Sequence, residues 1–164
     1  MATKTLIPVE EYLRTGFEGP EPDFVEGELV ERSAPNYFHS RTQVRLNDAF
    51  KPWQDRGELF RASEIRLRPA PESFRVADFA LFLVEPQEAI PAIAPVAVVE
   101  IISPDDRYHE LLAKLGEYES AGIEHIFVVD PPLRKLFRFL HGNLMAVDAM
   151  EFNVGIRVPA TSIY

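Results

Sequence analysis

Two acids interrupt the most apolar runs of the chain. Asp78 lies in RVADFALF, residues 75–82, and Glu100 lies in VAVVEIIS, residues 96–103. A carboxylate set among aliphatic side chains costs several kcal/mol unless it is paired, protonated or bound to metal. If the two runs are strands that pair antiparallel about residues 85–95, the pivot falls near residue 90. Asp78 then lies opposite residues 100 to 102, and the two carboxylates sit side by side. Like charges at that range repel strongly. A divalent cation relieves the repulsion, and oxygen-only ligation completed by water favours Mg²⁺ or Mn²⁺ over zinc.

Lys114 is the third member of the set. A helix after Ser103 brings the chain back across the sheet, with Leu111, Lys114 and Tyr118 on one face. An ammonium reaching the acids would neutralise the pair, orient a water and stabilise a pentacovalent phosphate. The competing reading is structural: Lys114 pairs with the acids and no metal binds. His39, after Tyr37 and Phe38 at a helix start, could carry a proton or contact phosphate. It could equally be a capping or packed histidine. Glu64 could be a third acid near the metal, or an exposed strand residue flanked by arginines. Arg61, Arg66, Arg68 and Arg75 could line a phosphate or make ordinary surface pairs. His125 and His141 read as structural or turn residues. Ser103 reads as an N-cap, because no triad spacing and no nucleophile elbow surrounds it. No glycine-rich phosphate loop is present.

The elements that must position these residues follow from pattern. A short helix is expected over 5–13, capped by Thr5, and a hairpin over 23–32 with Glu26-Gly27 at its turn. A helix is expected over 37–56, with Pro52 kinking or ending it early. Strands are expected over 59–68, 76–84, 96–102 and 123–129. Between the last two lies a helix from Ser103 to Ala121, stopped by Gly122. A second hairpin spans 136–147, and 152–164 could add an edge strand. The order predicts an α/β (α+β) fold: a mixed sheet flanked by helices, with extra N- and C-terminal hairpins.

These strings resemble a known family. VVEIISPDDR, then Lys114 and Tyr118 as K-x-x-x-Y, then AGIEHIFVVDP are similar to a bacterial restriction-endonuclease-like family, the Uma-type family. That family belongs to the PD-(D/E)xK nuclease superfamily. The hairpin VEGELV, the break at residues 33–35 and His39 fit it as well. The resemblance implies a restriction-endonuclease-like fold and metal binding by Asp78 and Glu100, with Lys114 as the catalytic lysine. Two departures stand out. Ala77 replaces the proline expected before the first acid, and Ile102 replaces the lysine expected two residues after the glutamate, so the lysine role passes to the helix.

Composition sets the bounds. The 164 residues suit one domain, 1–164, and the hydrophobic share of 46% suits a packed core. The absence of cysteine removes disulfides and thiolate zinc sites and fits a cytoplasmic location. The N-terminal apolar run is too short for a signal peptide, and no run approaches a membrane span. The net charge of −9 repels phosphate at long range, so a DNA substrate would need bound metal or a local basic patch. The expected function is a Mg²⁺-dependent endonuclease on DNA, working as a homodimer whose paired sites address both strands. The alternative is a non-catalytic binding or assembly module that keeps the nuclease fold.

Overall fold

A computed structural model describes residues 6–164. The elements run α1 (Val9–Arg14), β1 (Asp23–Val25), β2 (Glu28–Val30), α2 (Tyr37–Asp55), β3 (Phe60–Ala70), β4 (Ser73–Phe82) and β5 (Ala97–Ile101). They continue with α3 (Tyr108–Ser120), β6 (His125–Asp130), β7 (Lys135–Leu140), β8 (Asn143–Val147), β9 (Ala149–Glu151) and β10 (Arg157–Pro159). The main sheet has the order β2-β1-β4-β5-β6-β7-β8, with β3 also on β4. β5 and β6 pair parallel, joined across α3, and the other pairs are antiparallel. This is the expected mixed α/β sheet.

Helices cover both faces, which is why the central strands are apolar along their whole length. All ten residues of β4 and all five of β5 are buried. On one face Leu46 and Phe50 of α2 pack on Phe79, Leu81, Val99 and Phe127. On the other, Leu115 and Tyr118 of α3 pack on Ala77, Ala80, Val98 and Val128. The first hairpin turns through Glu26 (φ 48°) and Gly27 (φ 89°). Two successive left-handed residues are what a tight two-residue hairpin needs.

Several expectations are corrected. Thr5 lies outside the described residues, and α1 starts after Pro8. α2 passes through Pro52 to Asp55, anchored by Phe50 and Trp53 on either side of the proline. Ser103 does not cap α3, which begins at Tyr108 after Arg107. Residues 103–106 form a turn instead. The Asp106 carboxylate accepts the Ser103 N–H at 2.7 Å and the Ser33 hydroxyl at 2.8 Å, and this tie to another segment outcompetes helix. The tail adds no edge strand to the main sheet. β9 and β10 pair with each other, and Met150, Phe152, Ile156 and Val158 join the core beneath α2. Among the described residues, no helix is long and apolar enough to cross a membrane.

Candidate functional site

The site opens where neighbours leave β4. β3 follows β4 from Phe60↔Phe82 to Ala70↔Ser73. β1 meets β4 only at Ser73 and Phe74, and β5 meets it only at Phe79, Ala80 and Leu81. Because β3 takes one edge, β1 and β5 share the other at opposite ends, with residues 75–78 between them. Side chains complete the backbone bonding in that gap. Asp23 accepts the Val76 N–H at 2.8 Å, Lys114 Nζ donates to the Val76 carbonyl at 2.8 Å, and Asp78 Oδ2 accepts the Ile101 N–H at 2.7 Å.

The alternation of β4 slips at Asp78. Ala77 packs with Ala80 and Phe82 on the α3 face, whereas Phe79 and Leu81 face α2. A strict period of two would put Ala77 with Phe79. The slip turns the Asp78 carboxylate toward the gap. Continuing the β4–β5 register one step past Phe79↔Val99 brings Asp78 opposite Glu100. On the other side, Ser63↔Phe79 and Ile65↔Ala77 bracket Glu64, which also faces Asp78 and has φ 50°. Three acids therefore stand in a row across β3, β4 and β5.

Each acid has distinct company. Glu100 is held from α3, where Lys114 donates to Oε2 at 2.8 Å and Tyr118, one turn on, donates to Oε1 at 3.0 Å. Asp78 Oδ1 accepts from Arg32 at 2.8 Å and lies 3.3 Å from His39 Nε2. Glu64 accepts from Arg32 at 2.9 Å and from Gln43 at 2.7 Å, and Gln43 also donates to the Asp78 carbonyl at 3.0 Å. Behind Lys114, Arg75 joins Asp23 to Glu117.

Electrostatics separates the two central acids. Burial raises the Glu100 carboxyl to about 7; Lys114 opposes the rise and the like charge of Asp78 adds to it. Burial also pushes Asp78 upward, but His39, Lys114 and Arg32 outweigh it and hold the carboxyl below its usual value. Burial lowers Lys114, yet Glu100, Asp23 and Asp78 together keep it above the usual lysine value. Burial likewise lowers His39, and Asp78 and Glu64 more than restore it.

The expected residues Asp78, Glu100, Lys114 and His39 all line one cavity of about 580 Å³. Of the four arginines considered, Arg75 lines it too, bound to Asp23 and Glu117. Arg61, Arg66 and Arg68 bind Gln54, Glu21 and the Pro71 carbonyl. His125 is buried against Phe127 and Phe152, and His141 sits in the β7–β8 turn with φ 50°. Sequence reasoning missed Arg32 and Asp23. Arg32 had one available signal, its place at the exit of a hairpin before the break at 33–35. Asp23 had none beyond opening a strand.

The Uma2 family model, described as "Putative restriction endonuclease", matches residues 9–156. The chain belongs to the Uma2 family. A crystal structure of a "putative nuclease" from Anabaena variabilis superposes with a TM-score of 0.79 at 19% identity, covering 96% of this chain and 97% of the other. That likeness shows the fold of this Uma2 protein to be restriction-endonuclease-like. A cryo-electron-microscopy structure described as a DrdV–DNA complex matches at 14% identity and a TM-score of 0.38, over 76% of this chain and 12% of the other. Among curated proteins none matches.

The family and fold imply a divalent metal, and the donor set fits one. Asp78 and Glu100 are hard oxygen donors, the kind Mg²⁺ and Mn²⁺ take. Around the cavity, carboxylates outnumber lysines and arginines by eight to four. That excess favours a cation.

Proposed function

We propose that this chain is a Mg²⁺- or Mn²⁺-dependent endonuclease that hydrolyses phosphodiester bonds of DNA. Asp78 and Glu100 would hold the ion and Lys114 would be the catalytic lysine. One observation carries the reading: in a restriction-endonuclease-like fold, two buried acids and a buried lysine meet in a strand gap at one cavity. The bound ion would supply Lewis acidity toward phosphate and lower the pKa of water. The residues would do the rest. Tyr118 and Lys114 fix both oxygens of Glu100, so its orientation is set before any ligand arrives. Lys114 brings a fixed positive charge to a cavity where negative charge grows as phosphate is attacked. His39 would contact phosphate or carry a proton beside Asp78. A homodimer would present paired sites to the two strands, and the strands at the sheet edges, β2, β3 and β8, leave backbone groups for self-association.

Plasmid cleavage with Mg²⁺ or Mn²⁺ tests the proposal. Wild type should cut and Asp78→Asn should not. Cutting that survives Asp78→Asn would sink the assignment. A solution mass equal to the 18.6 kDa chain would remove the homodimer.

One observation favours a second reading, a non-catalytic module on the nuclease fold. Arg32, Lys114, Tyr118 and His39 already satisfy the acids without metal. Calorimetric titration separates the readings: silence with both Mg²⁺ and Mn²⁺ would select the module.

A further inference from the structure

Arg32 holds two acids with two different nitrogens. Nη1 donates to Glu64 Oε2 at 2.9 Å and lies 3.5 Å from the Glu21 carbonyl. Nη2 donates to Asp78 Oδ1 at 2.8 Å. One end of the guanidinium is therefore anchored outside the strand gap, and the other end rests on the acid inside it.

We propose that Arg32 is the phosphate contact of this site: hinged on Glu64 through Nη1, it exchanges Asp78 for a phosphodiester oxygen at Nη2 when a divalent cation occupies Asp78. The inference rests on the proposed nuclease reading and deepens it by naming the side chain that receives the phosphate.

Three observations carry it. The first is that the other cations lining the cavity are committed. Arg75 turns Nε and Nη2 to Glu117 and Nη1 to Asp23. Lys114 Nζ is held by the Val76 carbonyl and Glu100, with Asp23 3.7 Å away. Arg107 is 72% exposed and pairs with Glu110 on the surface. Arg32 is 12% exposed, and its inner nitrogen depends on the acid that the cation would take. Its planar fork also matches phosphate geometry, whereas an ammonium is a point charge.

The second is charge. With a dication on Asp78, that carboxylate no longer neutralises Arg32, and cation and guanidinium repel at close range. A desolvated guanidinium that loses a counter-ion is costly unless another anion replaces it. In a nuclease the anion that arrives there is phosphate. The exchange also answers the net charge of −9, because the positive fork turns to the substrate only after the acids are neutralised.

The third is a built hinge. Glu64 has φ 50°, a strained conformation for a residue with a side chain, and it interrupts the β3–β4 register between Ser63↔Phe79 and Ile65↔Ala77. The distortion aims Glu64 at Arg32, and Gln43 fixes the other Glu64 oxygen at 2.7 Å. Arg32 itself follows β2 in irregular chain, so a small shift breaks no strand.

The test follows the Arg32 side chain of the full chain by ¹⁵N nuclear magnetic resonance, with Arg32→Lys to assign its signal. Without metal the guanidinium protons should exchange slowly. Saturating Mg²⁺ should speed that exchange, and a short duplex oligonucleotide added to the Mg²⁺ form should slow it again. Calorimetry gives a second readout. Arg32→Gln should tighten Mg²⁺ binding severalfold, because a competing cation has gone, and weaken Mg²⁺-dependent oligonucleotide binding by about tenfold. Arg32→Lys keeps the charge without the fork, so it should bind Mg²⁺ much as wild type does and the oligonucleotide weakly. An Arg32 signal that stays protected in Mg²⁺, or that the oligonucleotide does not recapture, overturns the exchange, as do unchanged affinities in Arg32→Gln. Mg²⁺-dependent plasmid cleavage in that case leaves the nuclease reading standing. Recapture without any cleavage supports the exchange and sinks the nuclease. No Mg²⁺ binding overturns both.

Discussion

Asp78 Oδ2 accepts the backbone N–H of Ile101 at 2.7 Å, so a side chain supplies a rung where the β4–β5 ladder has ended. The same carboxylate neutralises Arg32 and faces His39. Asp78→Ala would therefore orphan a buried N–H, at roughly 1–3 kcal/mol, and leave the Arg32 guanidinium with Glu64 as its remaining carboxylate partner. Asp78→Asn keeps an acceptor for Ile101 and should cost clearly less. Urea unfolding of the two variants checks this, and equal losses would show that the rung contributes nothing.

Glu100 and Lys114 form a buried ion pair. Lys114→Met should destabilise by roughly 3–5 kcal/mol, because Glu100 and Asp23 lose their common cation. Adding Glu100→Gln to that variant should recover part of the loss. A double-mutant cycle in denaturant measures the coupling, and a coupling near zero contradicts the pairing.

Tyr118 donates to Glu100 from a fully buried ring. Tyr118→Phe removes that bond with little change in volume and should cost about 1.5–3 kcal/mol, as expected for a hydrogen bond to a charged group. Thermal unfolding reads the shift. An unchanged midpoint would mean that Lys114 alone fixes Glu100.

Asp23 ties β1 to the gap through Val76 and Arg75. Asp23→Ala should loosen the hairpin that carries Arg32 and Glu28. Hydrogen exchange should then accelerate at the Val76 amide while the amide of Val128, in the centre of β6, stays protected. Equal protection at Val76 would show that Asp23 does not hold it.

His125 gives a pH dependence away from the site. Burial lowers its imidazole, Glu124 opposes that, and Arg138 adds to it; both ring nitrogens lack hydrogen-bond partners. The folded form therefore takes up its proton at lower pH than the unfolded chain, which protonates near about 6.5. This contribution to stability is intact above that value and is lost as pH falls below it. His125→Phe should lose less stability than wild type between about pH 7.5 and about pH 5.5. Parallel losses in urea titrations would remove His125 as the cause.

Much of the site was legible because strands obey simple rules. Two apolar runs about a linker can pair antiparallel in few ways, and a pivot near residue 90 sets Asp78 opposite residues 100 to 102, a range that holds Glu100; the β4–β5 register then singles out Glu100. Lys114 followed from helical spacing with Tyr118. The start of α3 was not legible, since Ser103, Pro104 and Asp105 have good start chemistry locally. What defeats it is Asp106, whose partner Ser33 lies 73 residues away. Glu64 looked like a surface residue from its neighbours and is half-exposed, yet Gln43 and Arg32 turn it to the site.

The sequence by itself determined the mixed α/β character, the buried strands and the identity of the central acids and lysine. Hydrophobic periodicity and the cost of a carboxylate among aliphatic neighbours are local, and they can be read residue by residue. Only the tertiary structure decided which cations stand beside those acids. Arg32, Asp23 and Arg75 reach the gap because β1 and β5 leave β4 at different points. That departure depends on the β-sheet register and on the slip at Asp78, which arise from packing between segments far apart in the chain.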